Sequence, residues 1–190
     1  MHEPYHFECA NCEAPADAQA VFEAVFRTDF DAPGFALLDL GTACSPRQIR
    51  QLMVNLKADL GVQFQKSSGR RLRYLSMGRF DQQVTTKFHL DGAPEESVLM
   101  LGYEPTSIRS RLFMADYSAC AHANGISPKD FLRDFNPMFT AGAEKLHGFV
   151  TDLREFNSNH YTVLLIKIAP RRFRQACKAL CTRPKSHRPI

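Results

Sequence analysis

Apolar positions recur with two different periods along the chain, and the change between them divides the sequence. Over 15–30 (PADAQAVFEAVFRTDF), Ala18, Val21, Phe22, Ala24, Val25 and Phe26 fall at mixed spacings that include three and four residues, which suits an amphipathic helix. Asp31-Ala-Pro-Gly34 breaks it, and FALLDLG at 35–41 follows as a buried strand. Ser45-Pro46 then supplies an N-cap and a proline at the first helical position. Ile49, Leu52, Met53, Leu56 and Leu60 give this second helix one apolar face that runs to Gly61. From Arg71 the pattern turns to strands: RLRYLSM at 71–77, VTTKFHLD at 84–91, SVLMLGYE at 97–104 and SRLFMADYSA at 110–119. Short Gly- and Pro-bearing connectors separate them, as in an antiparallel meander or barrel. A third helix, capped by Ser127 and ended by Pro137, carries Phe131, Leu132 and Phe135 on one side, and HYTVLLIKI at 160–168 is the last strand.

Helices first and strands afterwards make the expected class α+β, and they argue against a doubly wound dinucleotide fold. Neither GxGxxG nor GxxxxGK[ST] occurs, so no phosphate-cradling loop is expected. With 190 residues, 44% of them hydrophobic, the chain suits one domain with a real core, read as 1–168. Residues 169–190 read as a separate basic tail.

Charge sharpens that boundary. The net charge is +4, yet all 20 acidic residues lie at or before Glu155. Eight of the 24 bases lie from Lys167 onward, so residues 1–166 hold sixteen bases against twenty acids, or −4, and 167–190 carry +8. The basicity belongs to the tail. Its prolines, its lack of pattern and its lone aromatic, Phe173, make nucleic-acid binding the less favoured use. The longest apolar runs, such as Val163–Ile166, are far short of a membrane span, and MHEPYHFECANCE does not look like a secretory leader. A cytoplasmic protein with six reduced cysteines is the expectation.

Chemistry concentrates on His89 and Asp91. On an extended strand the side chains of Thr85, Lys87, His89 and Asp91 share one face, while Val84, Thr86, Phe88 and Leu90 share the other. So polar a face does not suit a dry core; it suits the inner wall of a wide barrel, where an imidazole and a carboxylate meet at one metal ion. Two His and one carboxylate on three corners of an octahedron leave three sites open, the arrangement of non-haem Fe(II) oxygenases. A structural His–Asp pair is the competing reading of this short motif.

YLSMGRFDQQVTTKFHLDG at 74–92, followed by LMLGYEP and RLFMADYS, resembles the central part of the Fe(II)- and 2-oxoglutarate-dependent oxygenases, the phytanoyl-CoA-dioxygenase-like group among them. The resemblance covers about 20–166. It implies a double-stranded β-helix core, incomplete or altered at its C-terminal end, with N-terminal flanking helices. It further implies Fe(II) and 2-oxoglutarate as cofactors, hydroxylation of a small-molecule substrate, and His89 and Asp91 as the first two iron ligands. For the distal histidine, His160 fits best among His122, His147 and His160, with Arg171 and Arg172 following as partners of the 2-oxoglutarate carboxylate. Lys87 and Arg109 are further candidates for that carboxylate.

Other features have a bland and a sharper reading. Cys9-x-x-Cys12, close to His2 and His6, has the ligand types of a zinc site that Cys177 and Cys181 could complete, against an ordinary polar terminus. SSGRRLR at 67–73 reads first as a solvated edge and second as an anion site, and Arg111 beside Arg109 could likewise meet a carboxylate. The alternative to an oxygenase is a non-catalytic β-rich module that contacts a partner or nucleic acid through the basic tail.

Overall fold

The computed structural model describes residues 3–9, 12, 17–75, 77–78, 86–89, 94 and 96–168. Two helices come early, as the periodicity predicts. Helix α1 (Ala18–Val25) starts where the Asp17 carboxylate accepts from Gln19 N at 2.9 Å, and it buries Val21, Ala24 and Val25. Helix α2 (Pro46–Ser68) starts at Ser45, whose hydroxyl accepts from Gln48 N. It runs two turns past Gly61 and stops at Gly69, which takes the left-handed conformation that ends a helix without a Cβ penalty. Ile49, Leu52, Leu56 and Leu60 are its buried stripe.

The sheet has four strands. β1 (His6–Glu8) runs parallel to β2 (Phe35–Asp39); β2 pairs antiparallel with β6 (Thr162–Lys167), and β6 pairs antiparallel with β3 (Val98–Tyr103). The order β1-β2-β6-β3 puts the last strand between two early ones. That corrects the meander read from the sequence: sequential spacing says nothing about which strand is inserted later. The remaining strands, β4 (Phe113–Ala115) and β5 (Val150–Asp152), form a separate ribbon. The chain is therefore mixed α+β.

Alternation assigns the two faces of the sheet. Ala36, Leu38 and Leu40, with Val163 and Leu165, pack beneath α1 and α2. Phe35, Leu37 and Leu164 face the other way, with Tyr5, Tyr103, Leu153 and the ribbon residue Met114. A third cluster of Tyr117, Cys120, Phe131 and Leu146 joins three short helices, α3 (Tyr117–Ala123), α4 (Pro128–Asp134) and α5 (Thr140–Leu146). Each fully buried Leu in these layers contributes about 1.5–3 kcal/mol.

Several expectations change. Residues 71–75 and 77 lie outside any strand, and so do 86–89; the rest of the strand expected at 84–91 lies outside the described residues. The strand expected at 110–119 is shortened to β4, because Asp116 caps α3 by accepting from Ala119 N at 2.9 Å. Cys12 and Cys44, expected as thiols, are joined by a disulfide with Cα atoms 5.9 Å apart. Parallel pairing of β1 with β2 is what carries these two distant positions to one end of the sheet. The tail from 169 lies outside the described residues. No helix among those described is long and apolar enough to cross a membrane.

Candidate functional site

A broad cleft opens beside edge strand β3. Its walls are the outer face of α2, the segments at 70–75, 77–78 and 86–89, the stretch leading into β4, and the start of α5. Its lining along the edge strand is apolar: Val98 and Met100 on one face, Leu99 and Leu101 on the other, are each half-buried, although the strand is as hydrophobic as β2. Basic groups dominate the rim. Arg50 pairs with Glu104 at 3.2 Å, and Arg70 pairs with Glu96 at 3.0 Å. Lys57 Nζ sits 5.3 Å from the centre of the Tyr74 ring. Arg71, Arg73 and Arg109 make no ion pair among the described residues, so the described lining of the cleft has more cations than anions. Such a surface favours anionic ligands.

Lys167 marks the inner end of this cleft. It closes β6 and donates from Nζ to the Glu96 carbonyl at 2.5 Å, while the Phe26 ring lies 6.0 Å away. Burial pulls its ammonium down to about 8, with the nearby Arg70 adding to the shift and Glu96 opposing it. Sequence reading passed over this residue, because a lysine ending an apolar strand gives no signal of its surroundings.

His89 stands on the cleft wall and is exposed. Its Nδ1 lies 2.6 Å from the Lys87 carbonyl, which can only accept. Nδ1 therefore carries the proton in the neutral ring, and Nε2 holds the lone pair. Metal-binding imidazoles are commonly fixed this way, by donating the other ring N–H to a backbone carbonyl. Lys87 reaches from the same segment to the Met138 carbonyl at 3.2 Å, tying the His89 segment to the start of α5. Arg109 lies in the same cleft, exposed.

His160 is held elsewhere. Nδ1 lies 2.8 and 2.9 Å from the two Asp39 oxygens, and Asn157 Nδ2 donates to Nε2 at 3.1 Å. Asp39 in turn accepts from Gly41 N at 2.8 Å. Both ring nitrogens are thus engaged in a pair that locks the entry to β6 against the end of β2, and His160 does not line the cleft. The structure does not bring His160 together with His89. Asp91, Arg171 and Arg172 lie outside the described residues. Among those described, no three His, Cys, Asp or Glu side chains converge as a metal site. Of the expected oxygenase set, then, the described residues supply one imidazole of suitable tautomer and the cations Lys87 and Arg109, with no third ligand beside them.

The comparisons leave this geometry to stand alone: no family model matches the chain, and no curated protein or solved structure does.

Proposed function

We propose that the protein is a non-haem Fe(II)- and 2-oxoglutarate-dependent oxygenase that hydroxylates a small molecule in the cytoplasm, with its strands belonging to a double-stranded β-helix core. The observation that carries this reading is the company His89 keeps. An imidazole whose Nδ1 faces a carbonyl shares one concave, cationic surface with Lys87 and Arg109. His89 and Asp91 are the metal pair in this reading, and Lys87, Arg109, Arg171 and Arg172 are the candidate partners of the dicarboxylate. The described residues fit the metal only in part, because His160 is committed to Asp39 and Asn157. Bound Fe(II) and 2-oxo acid would activate dioxygen, the oxidant for C–H hydroxylation, with decarboxylation of the 2-oxo acid supplying the other two electrons that dioxygen takes up. The chain's own contribution is to fix the His89 tautomer, attract an anionic co-substrate and offer an apolar lining to the substrate.

Anaerobic addition of Fe(II) and 2-oxoglutarate tests the reading through the visible metal-to-ligand charge-transfer band. Wild type and His160→Ala should develop it, and His89→Ala should not. Absence of the band in wild type would overturn the proposal.

A second reading, a non-catalytic binding module, is favoured by the full engagement of both His160 nitrogens. It expects no band, together with retention on an anionic polymer that salt weakens and deletion of 170–190 abolishes.

A further inference from the structure

Three cysteines lie at one end of the sheet and pack against the same apolar cluster on one side of it. Backbone pairing of β1 with β2 continues past Glu8, where Cys9 N donates to the Asp39 carbonyl at 2.8 Å. Phe7 and Cys9 then fall on the face that packs under the helices, and Cys12 and Cys44 pack against the same cluster. Cys12 is bonded to Cys44, whereas Cys9 keeps its thiol, which is only half-buried and lies 4.0 Å from the Phe7 carbonyl. Asp39 and His160 occupy the opposite face, so this cluster is chemically separate from that pair.

We propose that Cys9, Cys12 and Cys44 form a thiol–disulfide relay in which the disulfide moves between Cys12–Cys44 and Cys9–Cys12. The Cys9 thiolate attacks Cys12 Sγ, a Cys9–Cys12 bond forms, and the Cys12–Cys44 bond breaks. The electron pair of the broken bond leaves on Cys44 Sγ. The proton lost by Cys9 is regained from solvent at Cys44, so the step needs no external oxidant or reductant.

Two features give the exchange its direction. Cys44 immediately precedes Ser45, the N-cap of the 23-residue helix α2. The dipole of that helix favours negative charge at its N-terminus, which makes Cys44 the better leaving thiolate of the bonded pair. Cys9 and Cys12 have the C-x-x-C spacing of redox-active dithiols, close enough in sequence to close on each other through one turn. Cys44 Sγ lies 3.8 Å from the Leu40 carbonyl, which gives the released thiol an acceptor without moving the strand. The exchange replaces a link across 32 residues by a local loop, and so releases the N-terminal segment from the entry to α2.

Peptide mapping of the full chain tests this. Trypsin cuts after Arg27 and Arg47, so Cys9 and Cys12 share peptide 1–27 while Cys44 lies alone in 28–47. After equilibration in a glutathione redox buffer, acid quenching and alkylation, two populations should appear in wild type. In one, the two peptides are joined through Cys12. In the other, peptide 1–27 is closed on itself, two hydrogens lighter, and Cys44 is alkylated. Cys9→Ser should keep only the first and Cys44→Ser only the second. Wild type that shows the joined pair alone, a Cys9–Cys44 link, or full alkylation of all three cysteines would overturn the relay.

Discussion

Strands β3 and β6 lie side by side and are almost equally apolar, VLMLGY against TVLLIK, yet they live in different surroundings. Val163 and Leu165 of β6 are fully buried beneath α1 and α2, whereas Val98 to Gly102 of β3 are only half-buried beside the cleft. Hydrophobicity alone therefore does not tell which strand holds the molecule together. Position does: β6 has a strand on each side and a layer over each face, while β3 forms the edge of the described sheet. The β2–β6 seam is the stabilising centre, and the β3 side is where apolar surface and positive charge stay available to a ligand.

The contrast is broken most forcefully by truncation. Leu165→Ala should lower unfolding free energy by about 2–5 kcal/mol, because the site is closed on all sides. Leu99→Ala on β3 should lower it by only about 1 kcal/mol. Urea denaturation of the two variants gives the comparison directly, and equal losses would erase the distinction.

Next in size is Gly142→Ala in α5. A Cβ there would fall inside contact distance of the Asn136 and Phe135 carbonyl oxygens, which are backbone atoms and cannot rotate away. A loss of about 1–3 kcal/mol is expected by the same measurement. By contrast, Gly102→Ala would meet the end of the flexible Met53 side chain and should be much milder.

Lys167 gives the pH dependence. Its pKa falls from 10.5 to about 8 on folding, so between these values the unfolded chain binds more protons and stability rises with pH. Below pH 8 the cost of burying the charge is present in full; above 10.5 it is gone. Lys167→Met should therefore be more stable than wild type at pH 7, with the gap narrowing as pH climbs past 8. A gap that does not change with pH would refute burial as the cause.

The smallest structural effect is expected at Arg109, which is exposed and forms no ion pair among the described residues. Arg109→Gln should leave the unfolding midpoint unchanged while weakening 2-oxoglutarate binding about tenfold, the worth of one charge-assisted hydrogen bond, as read by calorimetry.

How legible all this was depended on whether the signal was local. The Ser45 cap with Pro46, the Ile49 to Leu60 stripe, and the apolar strands at 35–39 and 162–167 could be read from neighbours in sequence, because capping and periodicity act over a few residues. The insertion of β6 between β2 and β3, the Cys12–Cys44 bond and the Asp39–His160 pair could not, since each joins positions that only the folded sheet brings together. At the site, the tautomer of His89 depends on a carbonyl from its own segment and the burial of Lys167 on its place at the end of an inner strand, neither of which leaves a mark in residue type. His160 fits a ligand by spacing, but in the fold its Nδ1 faces Asp39 on the neighbouring strand and its Nε2 accepts from Asn157, partners that spacing does not reveal.

Hydrogen exchange with and without Fe(II) and 2-oxoglutarate, under anaerobic conditions, bears most directly on the division between seam and cleft. Added protection is expected in 70–78, 86–89, β3 and 106–113, with β2, β6 and the His160 turn unchanged. Protection gained at the Asp39–His160 end with none along the cleft would contradict it.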